Sequence, residues 1–138
     1  MIPTRIILHH SLTKDSDTVS WGAIRRYHIE TNNWSDIGYH FGIEQVKDYT
    51  EVLFGRMPNK IGSHCKGHNT DSIGICFVGN FDNEPPPMDS WNKGVLLCKY
   101  LVEQFGIKII LGHTELNSHK TCPGRMFDLE NFRKDVFF

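Results

Sequence analysis

The reading of the fold turns on the stretch Arg5-Ile6-Ile7-Leu8-His9-His10. Its apolar residues run almost continuously, without the alternation of a strand that faces water on one side. Ile6, Ile7 and Leu8 are all branched, so the segment reads as a central strand buried on both faces. A second run of this kind, SIGICFVG, begins at Ser72, and a third, KIILGH, begins at Lys108. Between the first two, Trp21, Ile24, Tyr27 and His28 recur at helical spacing, with Asp17 or Thr18 as the cap and Asn32-Asn33 as the break. GYHFGI from Gly38 and YTEVLFGR from Tyr49 read as paired strands joined through the polar residues 44–48. Three prolines at 85–87 stop the SIGICFVG strand. Asp89 or Ser90 then caps a helix in which Trp91, Val95, Cys98, Leu101, Val102 and Phe105 share one face before Gly106 ends it. MFDLENFRKDVF, from Met126, forms a short terminal helix. Strands alternating with helices place the chain in the α/β class, as a central mixed β-sheet flanked by helices.

Composition narrows the function. At 138 residues the chain is expected to form one domain, 1–138, with no room for a separate binding module. Lys+Arg 15 against Asp+Glu 16 leaves no basic footprint, so direct nucleic-acid binding is not expected. The opening MIPTRIILHHSL lacks a basic leader, a long apolar run and a small-residue cleavage site, so no signal peptide is read. No stretch approaches the roughly 20 apolar residues of a membrane span. A soluble protein, acting as a monomer, is the expectation. The four cysteines fit a disulfide framework or free thiols. Cys76 and Cys98 lie on an apolar strand and helix face, as buried thiols do, and Cys65 falls in a loop where exposure is expected.

Three segments carry chemistry: His9-His10 at the end of the first strand, Tyr39-His40 in the second, and GHTELNSHKTCPG from Gly112 after the last. Strand ends in open α/β sheets are common places for sites, so neighbouring strands would bring them together. A hydrolytic zinc centre wants three protein ligands and one open position, and imidazole with thiolate suits it. One histidine of the first strand, His113 and Cys122 supply that set. Pro123-Gly124 makes a tight turn that holds the cysteine at a fixed angle. Adjacent strand residues point to opposite faces, so only one of His9 and His10 can be a ligand, and the other is a buried, hydrogen-bonded or orienting histidine. His40, facing away from Tyr39, is assigned to packing.

The blocks LHHS at Leu8, IRRYHIETNNWSDIGYHF at Ile24, GSHCKGHNTDSIGICFVGNF at Gly62 and GHTELNSHKTCPG at Gly112 cover nearly the whole chain. In that order they resemble the N-acetylmuramoyl-L-alanine amidases of the bacteriophage T7 lysozyme type, which share a fold with the animal peptidoglycan recognition proteins. Two departures stand out. The loop from His113 to Cys122 is about one residue longer than the family spacing. The SIGICFVG strand also lacks the glutamate used by the cytoplasmic anhydro-muropeptide amidases, which favours the tyrosine-using branch.

The resemblance implies that His9 is the strand ligand and that His9, His113 and Cys122 hold one catalytic Zn²⁺. It implies Tyr39 and Lys120 as catalytic residues. Both side chains can act as donors to the charge that develops on the attacked carbonyl, and Tyr39 can instead hold the attacking water or pass a proton to the leaving amine. His64 and Asn69, polar residues of a Gly-rich loop, are expected to contact the glycan or peptide stem. The implied activity is hydrolysis of the amide between N-acetylmuramic acid and L-alanine in peptidoglycan, as in cell-wall lysis by a phage enzyme. Such an enzyme is made in the host cytoplasm and released through a holin pore. The resemblance further implies a second partner, the phage RNA polymerase. Non-catalytic recognition proteins of this fold usually lack the cysteine ligand, whereas Cys122 is present here. A zinc peptidase cutting within the stem is the other competing class.

Overall fold

The computed structural model describes residues 1–13 and 20–138. Asp17 and Thr18, the sequence-based caps of the first helix, lie outside the described residues.

The central strand β1 (Arg5–His10) lies between β4 (Ser72–Phe77) and β5 (Ile109–Gly112), parallel to both. On the far side of β4 comes β2 (Phe41–Val46), also parallel, and β3 (Tyr49–Phe54) closes that edge antiparallel to β2. The order β3-β2-β4-β1-β5 makes a mixed five-stranded sheet. All six residues of β4 are buried, as are five of six in β1, which accounts for their unbroken apolar runs.

Strand alternation then splits the core. Ile6, Leu8, Ile73, Ile75 and Phe77 face α2 (Met88–Phe105) and α3 (Leu129–Phe137), packing on Val95, Leu101 and Phe132. The other face carries a smaller cluster of Trp21, Ile37, Cys76 and Val78 beneath α1 (Trp21–Arg26). His9, in register with Cys76, belongs to this second, thinner face.

Several local expectations shift. β2 starts at Phe41, so Tyr39 and His40 precede the strand. Glu44 is not in a connecting loop but within β2, fully buried, with both oxygens accepting the Ser20 N–H at 2.9 and 2.8 Å. The turn is Lys47-Asp48, with Lys47 left-handed at φ 57°. α1 continues as a π-helical turn, Tyr27–Thr31, before Asn33 breaks it at φ 59°. α2 starts earlier than Asp89 or Ser90 because the Pro87 carbonyl accepts the first helical bond, from Trp91 N at 2.9 Å. Asp89 therefore sits in the first turn, where a carboxylate complements the helix dipole. Phe105 is exposed at 38%, off the buried stripe, and Gly106 ends the helix left-handed at φ 66°. α3 begins at Leu129 rather than Met126, since Asp128 caps it by accepting Asn131 N–H. β5 is an edge strand with Ile109 half exposed, not a fully buried one. All four cysteines are free, and Cys65 is buried despite its loop position. Among the described residues no helix is long and apolar enough to cross a membrane.

Candidate active site

His9 ends β1 on the thin face of the sheet, 1% exposed. His113 opens a single 3-10 turn (His113–Glu115) directly after β5, the strand beside β1, so parallel pairing delivers both imidazoles to the same end of the sheet. Their ring centroids lie 4.8 Å apart. Cys122 comes from the following loop, whose Cys122 carbonyl accepts Thr114 N–H at 2.8 Å. The ligand-type atoms of His9, His113 and Cys122 all lie within 4.8 Å of one another, a grouping that could hold one metal ion. His10 points to the opposite face, where its Nδ1 accepts Phe81 N–H at 3.1 Å. Its Nε2 is buried with no partner among the described residues.

The donor set fits a metal on electrostatic grounds. Burial, with His64, His113 and His10 nearby, holds the His9 imidazole well below its ordinary value, so it is neutral, as a ligand must be. Burial, then Lys120, lowers His113 in the same way. The Cys122 thiol is pushed up by burial, which outweighs its bond to the His10 carbonyl at 3.4 Å and the Lys120 charge. A bound cation reverses that preference, because a coordinating thiol gives up its proton.

Behind His9 runs a chain of hydrogen bonds with only one consistent proton order. Ser72 Oγ donates its single hydrogen to the His68 carbonyl at 2.6 Å. It must therefore accept from His64 Nε2, 3.2 Å away. His64 Nδ1 is then the lone pair that accepts from His9 Nε2–H at 2.9 Å. This leaves Nδ1 of His9 as its lone-pair nitrogen, with the other ring nitrogen tied down in the manner usual for metal-bound histidines. Burial and the adjacent His40 push His64 down to about 3, keeping it neutral. The His64 ring rests on β4 where Gly74 lies, and a Cβ there would come 2.5 Å from His64 Cγ.

A cavity of about 460 Å³ opens over this floor, with Tyr39, His64, His113, Lys120 and Cys122 in its walls. Tyr39 tilts over His9 with centroids 5.2 Å apart and stacks on Trp21 at 6.1 Å. Burial, then the nearby Cys76 and Cys122 thiols, holds the Tyr39 hydroxyl well above its ordinary value, so it is a donor at neutral pH. Lys120 stands exposed at the rim. A second depression of about 530 Å³ shares His113 and Lys120 and continues past Leu116 and Lys66. Asn69 is not among the cavity's lining residues, and its Oδ1 accepts the His64 and Cys65 backbone N–H groups at 3.0 and 2.9 Å. His40 is fully buried, bonded from Nε2 to the Lys60 carbonyl and from Nδ1 to Gly74 N–H.

Sequence reasoning placed His28 on a helix face and did not count it, or Trp34, as part of the site, yet both line the cavity. His28 sits on the π-helical turn, its Nδ1 accepting Gly38 N–H at 2.9 Å and its ring 4.7 Å from Trp34 and 5.7 Å from Tyr39. Single π-turns recur at functional sites, but no residue pattern announces one in advance.

The profile of the N-acetylmuramoyl-L-alanine amidase family matches residues 1–125. The endolysin of Escherichia phage T7 is 38% identical over 135 residues, covering 92% of this chain and 83% of that one. Among solved structures, the N-acetylmuramoyl-L-alanine amidase LysC from Clostridium intestinale superposes with a TM-score of 0.85 at 27% identity, covering 98% of this chain and 85% of that one. Peptidoglycan recognition protein-LE, solved in complex with tracheal cytotoxin, a monomeric diaminopimelic acid-type peptidoglycan, gives 0.83 at 27%, covering 99% and 83%. The chain belongs to the N-acetylmuramoyl-L-alanine amidase family, with the fold shared by amidases and peptidoglycan recognition proteins. Within that family it is of the phage endolysin type, an amidase of peptidoglycan.

Proposed function

We propose that the chain is a zinc-dependent endolysin that cuts the amide between the lactyl group of N-acetylmuramic acid and the first L-alanine of the stem peptide. The observation that carries this is the convergence of His9, His113 and Cys122 within 4.8 Å at the floor of an open cavity walled by Tyr39 and Lys120. Two imidazoles and a thiolate with an open side suit a hydrolytic Zn²⁺ site. When bound there, Zn²⁺ acts as a Lewis acid and makes water a usable nucleophile near neutral pH.

The protein's own groups do the remaining work. As the amide carbon becomes tetrahedral, negative charge gathers on its oxygen. The Lys120 side chain and the Tyr39 hydroxyl stabilise that charge more than they stabilise the ground-state carbonyl. Packing on Trp21 and His9 holds the Tyr39 ring in place at the cavity wall. His64 keeps His9 in one tautomer and offers only its ring edge to the cavity, because both its nitrogens are engaged. Asn69 shapes the loop that presents His64. His28 offers Nε2–H from the wall as a donor to substrate oxygens. The two depressions that share His113 and Lys120 offer room for both the glycan and the peptide of the substrate. The endolysin relatives are in keeping with action on a host cell wall, and release through a phage pore as a single-domain monomer completes the proposal.

Muropeptide mass spectrometry of digested walls, with and without a chelator, tests the proposal. Intact stem peptides bearing a new L-alanine amine are expected, and chelation abolishes them. Cuts inside the stem would show a peptidase, and zinc uptake without product would show a binding protein. A transcription assay with Cys122→Ser, which loses hydrolysis, checks whether polymerase binding accompanies the amidase.

A further inference from the structure

Beyond β4 the chain turns at Gly79 and Asn80 and lays Phe81 and Asp82 against the loop that carries Lys120 and Cys122. The Asp82 carboxylate accepts twice there, Oδ2 from the Thr121 hydroxyl at 2.9 Å and Oδ1 from Arg125 N–H at 2.9 Å. These two donors stand on either side of Cys122, so one planar group spans the turn. Phe81 reinforces the contact through its backbone. Its carbonyl accepts Met126 N–H at 2.8 Å, and its N–H donates to His10 Nδ1. Gly124 permits this approach: its φ is +125°, and a Cβ there would lie 2.5 Å from the Phe81 carbonyl carbon and oxygen.

We propose that Asp82 is a positioning residue. By gripping Thr121 and Arg125 it sets the angle at which Cys122 presents its sulfur, and it holds Lys120, next to Thr121, at the rim of the cavity. The inference rests on the reading of His9, His113 and Cys122 as metal ligands. Asp82 takes no part in ligation or chemistry itself. Groups that orient ligands from outside typically alter metal affinity or activity by about 10-fold to 100-fold when removed. An asparagine can keep the grip, since its oxygen still accepts from Arg125 N–H while its amide donates to a Thr121 hydroxyl turned about its bond.

The test compares wild type with Asp82→Ala, Asp82→Asn and Thr121→Val in two measurements. One is zinc affinity by competition with a chelator. The other is the alkylation rate of Cys122 in metal-free protein, readable because Cys65, Cys76 and Cys98 are buried while Cys122 is half-buried. Asp82→Ala is expected to weaken zinc binding about 10-fold to 100-fold and to speed alkylation, with kcat falling and KM little changed. Asp82→Asn is expected to stay close to wild type, and Thr121→Val to fall between. Wild-type affinity and alkylation in Asp82→Ala would overturn the proposal, as would an Asp82→Asn variant as impaired as Asp82→Ala. If Asp82→Ala does not fold, Thr121→Val decides, because it removes one of the two bonds with little change of shape. A wild-type protein that takes up no zinc would bring down the reading of the metal site, and the alkylation rates would still judge Asp82.

Discussion

The Lys120 ammonium stands exposed at the cavity rim, so its removal should leave the packing of the protein untouched and fall on the chemistry alone. Lys120→Ala is expected to lower kcat about 10²-fold to 10³-fold, the usual scale for losing one transition-state donor. Steady-state kinetics on soluble muropeptides should show KM little moved. His40 predicts the response to pH. Burial lowers its pKa from the ordinary 6.5, and the adjacent Arg56 adds to this, outweighing the Lys60 carbonyl. Its Nδ1 must also stay unprotonated to accept Gly74 N–H. The unfolded chain therefore takes up a proton near pH 6.5 that the folded one refuses. Stability is fully present above that pH and declines as pH falls below it. Thermal melts between pH 8 and 5 should show this decline, to which the lowered imidazoles of His9, His64 and His113 also contribute, and His40→Gln should make it shallower without abolishing it. Residue types at this scale were readable in advance: His113, Lys120 and Cys122 stand in one block of sequence. The choice between His9 and His10 was not readable from the residues, because both faces of β1 are buried and only the alternation was visible.

Elements differ in how much of their environment is written into them. β1, β4 and α2 announce themselves through unbroken or helically spaced apolar residues, because each buries a large face against the rest of the protein. The π-turn carrying His28, the early start of α2 at Met88 and the half-exposed edge of β5 depend on neighbours that no local pattern reports. α3 shows the energetic side of this. Its Phe132 is fully buried, with ring centroids 5.0 Å from Trp91, 5.4 Å from Phe127 and 5.9 Å from Phe77. Phe132→Ala is expected to cost about 3–5 kcal/mol in urea unfolding. The variant that remains folded should keep its zinc affinity, since α3 packs on the face of the sheet away from His9.

At the scale of the whole molecule, the proposed metal site links zinc binding to folding, because His9, His113 and Cys122 meet only when β1 and β5 are paired and the Cys122 loop is closed. A ligand that binds only the folded state stabilises it by about 2.7 kcal/mol at one hundred times its dissociation constant. Zinc should therefore raise the Tm of the metal-stripped wild type in a concentration-dependent way, and Cys122→Ser should lose most of that rise. An equal rise in both would mean that zinc binds elsewhere. The amino-acid sequence alone determined the α/β class, the central strands and the set of residue types able to do amide hydrolysis, because burial periodicity and ordered motifs are local properties of the chain. The tertiary structure turned His9 toward His113, as the family resemblance had implied and the residues alone had not, and it alone decided that His64 spends both nitrogens inside the protein and that Asp82 reaches the Cys122 loop. Those facts depend on which groups meet across the sheet, and the meeting of groups distant along the chain is a property of the packed whole.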